Sequence, residues 1–190
     1  TPARVNTLAD ESFEPAAGET RFEVESRFDT FTVQSPDGGK TWKVSSTETG
    51  TDTLTGFKRI TFEDKAIALD FAPQEPGYES AMLIGSAFGA EFVPAYFSAG
   101  LSLFDLGRDM AYVCDLIAGA RLIEAQIGDS TDSAWVKHVY KNVVGVDPDP
   151  LTELVLIDFL ASGQFTRSSL LATAAELPLL EAQVDITGLQ

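Results

Sequence analysis

Cysteine and histidine occur once each in this 190-residue chain, as Cys114 and His138. One cysteine can form neither an internal disulfide nor a paired-cysteine zinc site, and one histidine leaves a hydrolase triad or a histidine metal centre only His138 to use. Cations are scarce as well: 13 Lys and Arg stand against 29 Asp and Glu, giving a net charge of −16 and a pI near 4.2. Such a surface repels a phosphate backbone and an anionic bilayer, so nucleic acid and membrane surfaces are poor partners. No apolar run reaches the roughly 18 residues that a membrane span needs, and no Gly-rich phosphate loop precedes a helix. The chain begins at Thr1 with neither methionine nor a signal-like stretch, which leaves upstream processing and export route open.

What is present is a folding chain. Hydrophobic residues make up 44%, including 13 Phe, and charged residues only 22%, which excludes a disordered reading. A compact unit near this size buries about 70% of its unfolded surface. Cys114 lies among Ala111, Tyr112, Val113, Leu116 and Ile117 and reads as a small core residue.

From Arg21 to Phe71 the apolar period is two. Phe22 and Val24, Phe31 and Val33, and Trp42 and Val44 alternate with polar residues, and Ser35-Pro36-Asp37-Gly38-Gly39 between the last two pairs predicts a hairpin. Thr53, Leu54 and Gly56 lead into Phe57–Phe62, which returns through Glu63-Asp64-Lys65 to Ile67, Leu69 and Phe71. Residues 1–20 read as an extended arm or edge strand. Two hairpins give a small antiparallel sheet whose single greasy face needs a cover.

After Ala72–Gly77 the period becomes helical. Helices are predicted over Tyr78–Phe88, stopped by Gly89, and Glu91–Ala99, stopped by Gly100. Ser102 is expected to cap a third helix carrying Leu103, Leu106, Met110 and Val113, with Asp105 in the capping-box position. Leu116–Ile127 continues or restarts around Gly119. The best-marked stretch follows: Val136, Val139, Tyr140 and Val143 share one helical face ahead of Gly145, Asp149 and Pro150 open the next helix, Gly163 closes it, and Thr166 caps another that ends before Pro178. The tail to Gln190 is expected to fray at its end. Ala87-Phe88-Gly89 and Phe97–Ser102 resemble Val143-Val144-Gly145 and Leu160–Thr166, which suggests two related helical units in which Gly100 and Gly163 both take positive φ; chance is the alternative, because such stops are common.

The pattern Tyr140-x-Asn142-Val143-Val144-Gly145-x-x-Pro148-Asp149, followed by Phe159-Leu160-Ala161-Ser162-Gly163, resembles a bacterial helical domain of unknown function. That domain is found at the C-terminus of exported haemolysin-type, or repeats-in-toxin, proteins and is similar in fold to the phycobilisome linker domain. Phe31–Val44, Gly50–Thr55 and Arg59–Asp64 resemble the β-module that precedes it in such proteins. The resemblance spans roughly residues 20–177. It departs from the family at Val146, where an arginine is usual, and in the calcium-binding glycine-aspartate nonapeptide, which is missing. It implies a setting, extracellular or on the cell surface of a bacterium, and no established enzymatic activity.

No carboxylate spacing suggests a glycosidase pair. Asp147, Asp149 and Glu153 sit on one turn and could attract calcium, but they lack the alternating ligands and central glycine of a calcium loop, and capping by Asp149 explains them without metal. Asp37 and Asp64 read as turn residues. The sequence therefore predicts an α+β fold: a β-hairpin module over 1–75, packed on a multi-helix domain over 76–190. The function it suggests is that of a non-enzymatic accessory or protein-interaction module with no catalytic residue, cofactor or metal site. The alternative is a calcium-dependent or small-ligand surface-binding protein.

Overall fold

The computed structural model describes residues 9–184. They form an α+β fold, strands first and helices after, that divides into two compact units between Gly77 and Tyr78. The N-terminal unit holds β1 (Ser12–Phe13), β2 (Arg21–Glu23), β3 (Phe31–Gln34), β4 (Thr41–Ser46), β5 (Gly50–Thr55), β6 (Arg59–Thr61) and β7 (Ala66–Ala68).

Both predicted hairpins form. In the first, β3 pairs antiparallel with β4, Val33 opposite Val44. Its turn is held by Asp37, whose Oδ1 accepts from the Lys40 and Thr41 amides at 3.1 and 2.8 Å, while Gly38 and Gly39 take φ of 74° and 95°, which a Cβ would oppose. In the second, β6 pairs with β7, and Asp64 steadies the neighbouring loop by accepting from the Phe28 amide at 2.8 Å.

The single antiparallel sheet is a prediction that the structure corrects. There are two mixed sheets, ordered β1-β5-β4-β3 and β2-β6-β7, because β1 joins β5 and β2 joins β6 in parallel. Gly50–Thr55, expected only to lead into the next strand, is an inner strand between β1 and β4. The edge-strand reading of the arm holds for Ser12–Phe13; residues 1–8 lie outside the described residues. The two sheets supply one shared core. Phe31 from one sheet meets Phe62, just past β6 of the other, at 5.3 Å between centroids, and Phe13 of β1 meets Phe22 of β2 at 5.1 Å. Val33, Trp42, Val44, Leu54, Ile60 and Ile67 complete a cluster drawn wholly from this unit.

The C-terminal unit holds most of α1 (Pro76–Phe88), then α2 (Val93–Asp105), α3 (Met110–Gly119), α4 (Leu122–Ile127), α5 (Asp132–Val144), α6 (Pro150–Ala161) and α7 (Arg167–Ala175). Most predicted boundaries appear where their chemistry puts them. Gly145 closes α5 at φ 85°, while the N-cap of that helix, Thr131, lies inside the stretch read as a separator, so the helix starts at Asp132. Asp149 caps α6 with Pro150 behind it, accepting from the Leu151 and Thr152 amides. Thr166 caps α7 in a capping box completed by Ser169.

Gly100 is the exception. It lies inside α2 with helical backbone, and Ser102, instead of capping, bonds back to the Ser98 carbonyl at 2.7 Å. The helix stops at Gly107, φ 75°, and Asp109 caps α3 by accepting from the Tyr112 amide at 2.8 Å. Asp105 is accordingly the last residue of α2 and not a capping-box partner. Gly163, by contrast, has φ 76°. The two glycines therefore play different parts, and the argument for two related helical units fails. Gly163→Ala is expected to lose about 1 kcal/mol through a forced left-handed alanine. Gly119→Ala, helical and facing open space, should be neutral or gain up to about 1 kcal/mol; denaturant midpoints of the two variants check the contrast.

Candidate functional site

The candidate residues of the sequence, His138, Cys114 and the acidic turn, are dispersed over the helical unit. His138, half-buried on α5, places Nε2 2.9 Å from the Ala87 carbonyl. One turn on, Asn142 Nδ2 donates to the Ser86 carbonyl at 3.1 Å, and Gln126 Nε2 donates to Phe88 at 2.9 Å. Those three carbonyls end α1, where no further helical amide reaches them, so the only histidine closes a helix. Burial pushes its pKa down, against the opposing pull of the Ala87 carbonyl and Glu91. A histidine that resists protonation in the fold but accepts it near 6.5 when unfolded contributes stability that is complete above that value and is lost as pH falls through it. Between about pH 7.5 and pH 5.5 the wild type is expected to lose more stability than His138→Gln, whose amide keeps a donor at this place; parallel thermal melts measure the difference.

Cys114 is fully buried in α3, and burial raises its thiol to about 12, far from a nucleophile. The acidic turn does not converge. Asp149 is occupied by its cap and by the Thr152 hydroxyl at 2.6 Å, Glu153 accepts from Ser133 at 2.6 Å and meets Lys137 at 3.1 Å, and Asp147 meets Lys141 at 3.5 Å. No group of three or more His, Cys, Asp or Glu among the described residues is arranged to hold a metal ion, and no described helix is long and apolar enough to cross a membrane.

One organising residue escapes a reading of the sequence. Arg167, at the start of α7, reaches Glu124 on α4 at 2.5 Å, Asp132 on α5 at 2.7 Å and the Ser130 carbonyl at 2.7 Å, and lies over the Trp135 ring. Only Asp129 and Asp132 at the start of α5 hinted at a cationic partner.

The site that stands out is apolar. Eight of the 12 residues of α6 are Leu, Val, Ile, Phe or Ala, yet none is buried. Leu151 is 71% exposed and Leu154 64%, with Val155 exposed beside them. A helix that is hydrophobic all round is ordinarily enclosed on all sides; here α5 is its principal neighbour. The inner face of α6, through Leu156 and Phe159, forms one wall of a half-open cavity of about 400 Å³. Trp135, Val139, Tyr140 and Val143 of α5 form another, and Phe165, Leu170, Ala174, Leu177 and Leu179 complete it. Its two threonines are already satisfied, Thr152 by Asp149 and Thr173 by the Ser169 carbonyl at 3.0 Å. Leu177 and Leu179 are themselves exposed. Such a surface is suited to apolar groups. The packing pattern of α5 and the caps of α6 were visible in the sequence; that the apolar run of α6 would face outward was not.

No protein-family model matches this chain, and neither curated proteins nor solved structures give a match to it.

Proposed function

We propose that the chain is a non-enzymatic accessory or protein-interaction module of an exported bacterial protein of the repeats-in-toxin type, and that α6 with the groove beside it engages a protein partner. The carrying observation is α6 itself: three large apolar side chains, Leu151, Leu154 and Val155, stand in solvent on a well-capped helix. Exposed apolar patches of this kind mark interaction surfaces on folded proteins. Support for the exported setting is the sequence resemblance over Tyr140–Gly163, together with an acidic chain whose lone thiol is buried. Of the alternatives, an apolar small ligand has an observation in its favour, the cavity of about 400 Å³, within the range of small-molecule sites. It would leave the outer face of α6 uncovered.

The test is retention of protein from the culture medium of producing cells by immobilised wild type and by Leu154→Gln/Val155→Gln. Bands held by the wild type and lost in the variant support the reading. Equal retention by both contradicts it.

A further inference from the structure

Resting on that reading of α6, we infer that its occupant is a cationic amphipathic helix of another protein, apolar on one face and bordered by Lys or Arg. Leu151, Leu154, Val155 and Asp158 fall at i, i+3, i+4 and i+7, so three exposed apolar side chains and an exposed carboxylate share one stripe of α6. A groove of about 400 Å³ lies against the Leu156 and Phe159 side of the same helix, a volume that admits an anchoring side chain. An apolar stripe with an adjoining pocket is the arrangement that receives an amphipathic helix.

Charge decides the kind of helix. Residues 142–166 contain Asp147, Asp149, Glu153 and Asp158 and no Lys or Arg. The cations that flank this segment are already engaged: Lys137 with Glu153, Lys141 with Asp147, and Arg167 with Glu124 and Asp132. Asp149 bonds only uncharged groups, the Leu151 and Thr152 amides and the Thr152 hydroxyl, and these hold its carboxyl ionised. The surface is thus apolar with a negative border, complementary to an apolar helix with a positive one. A second copy would set Asp158 and Asp149 against like charges, on chains of net −16 each. A small apolar ligand would fill the groove and leave Leu151, Leu154 and Val155 wet.

The probe is a fluorescent peptide of about 14 residues with Leu and Lys at helical spacing, titrated into the full chain and followed by anisotropy. Its controls are the matched Leu/Glu peptide and a Gly/Lys peptide of equal charge but no apolar face. The expected result is that the Leu/Lys peptide binds at least about tenfold more tightly than either control. Leu154→Gln/Val155→Gln should remove that margin with the circular dichroism spectrum unchanged. Asp149→Asn/Asp158→Asn, which keeps the cap of α6, should weaken binding and flatten its salt dependence. Equal binding of the Leu/Lys and Leu/Glu peptides, both lost in Leu154→Gln/Val155→Gln, would leave α6 a docking surface and overturn the cationic occupant. Leu/Lys binding indifferent to Leu154→Gln/Val155→Gln, or no peptide binding at all, would overturn both the occupant and the role of α6. A dimer in sedimentation velocity that Leu154→Gln/Val155→Gln dissociates would make a second copy the occupant and overturn the proposal.

Discussion

Asp70→Ala is expected to destabilise the N-terminal unit by about 3–5 kcal/mol, the usual cost of removing one partner from a buried ion pair. Asp70 and Arg59 are among the few charged groups buried in the protein, with side chains 1% and 7% exposed, and the Arg59 guanidinium bonds Asp70 directly. Arg59 sits in β6 opposite Ala68, where its neighbours Ile60 and Ile67 belong to the core. Removing the carboxylate leaves the buried guanidinium without the anion it bonds directly, while the same nitrogen keeps the Lys58 carbonyl at 2.5 Å. The loss comes from the stranded charge and not from the pair's own net strength, so Arg59→Leu/Asp70→Leu should recover most of it. Urea midpoints for the single and double variants separate the two. A single variant that loses less than about 1 kcal/mol would show that water reaches Arg59.

Gly100→Ala should cost the helical unit about 1–3 kcal/mol, the range for overpacking a tight site. A Cβ at Gly100 would lie 2.6 Å from Ser80 Oγ, and Ser80 cannot yield without breaking its 2.9 Å bond to the Phe97 carbonyl. That bond joins α1 to α2 across the same close approach. The effect arises from contact and not from backbone conformation, which distinguishes it from the smaller loss expected at Gly163. Gly100→Ala paired with Ser80→Ala should regain part of the loss; no recovery would place the strain in the backbone.

Features set by a few neighbouring residues were readable in the sequence. Asp37 with two glycines, Asp149 with Pro150, and Thr166 three residues before Ser169 each satisfy backbone groups within one turn, so their chemistry is local and their places came out as expected. Gly100 looked the same as Gly163, but its role is fixed by Ser80, 20 positions away on another helix. The parallel pairings of β1 with β5 and β2 with β6 are equally non-local. The inner strand β5 also hid its period, because Asp52, fully buried beside Leu54 in the pattern, occupies an inward position where an apolar residue was looked for. The tasks of His138 and Asn142 were not legible, since the carbonyls they close belong to α1. For α6, hydrophobicity predicts burial without naming the surface that provides it, and among the described residues no element encloses its outer face.

That outward face is the centre of the functional reading, and its most direct test is the folding stability of Leu151→Gln/Leu154→Gln/Val155→Gln. If the three side chains serve a partner and not the fold, the urea midpoint should move by no more than the roughly 0.5 kcal/mol per site typical of surface substitutions. A loss of several kcal/mol, on the scale of core truncations, would show that α6 uses these side chains to hold its own unit together and would contradict the docking surface.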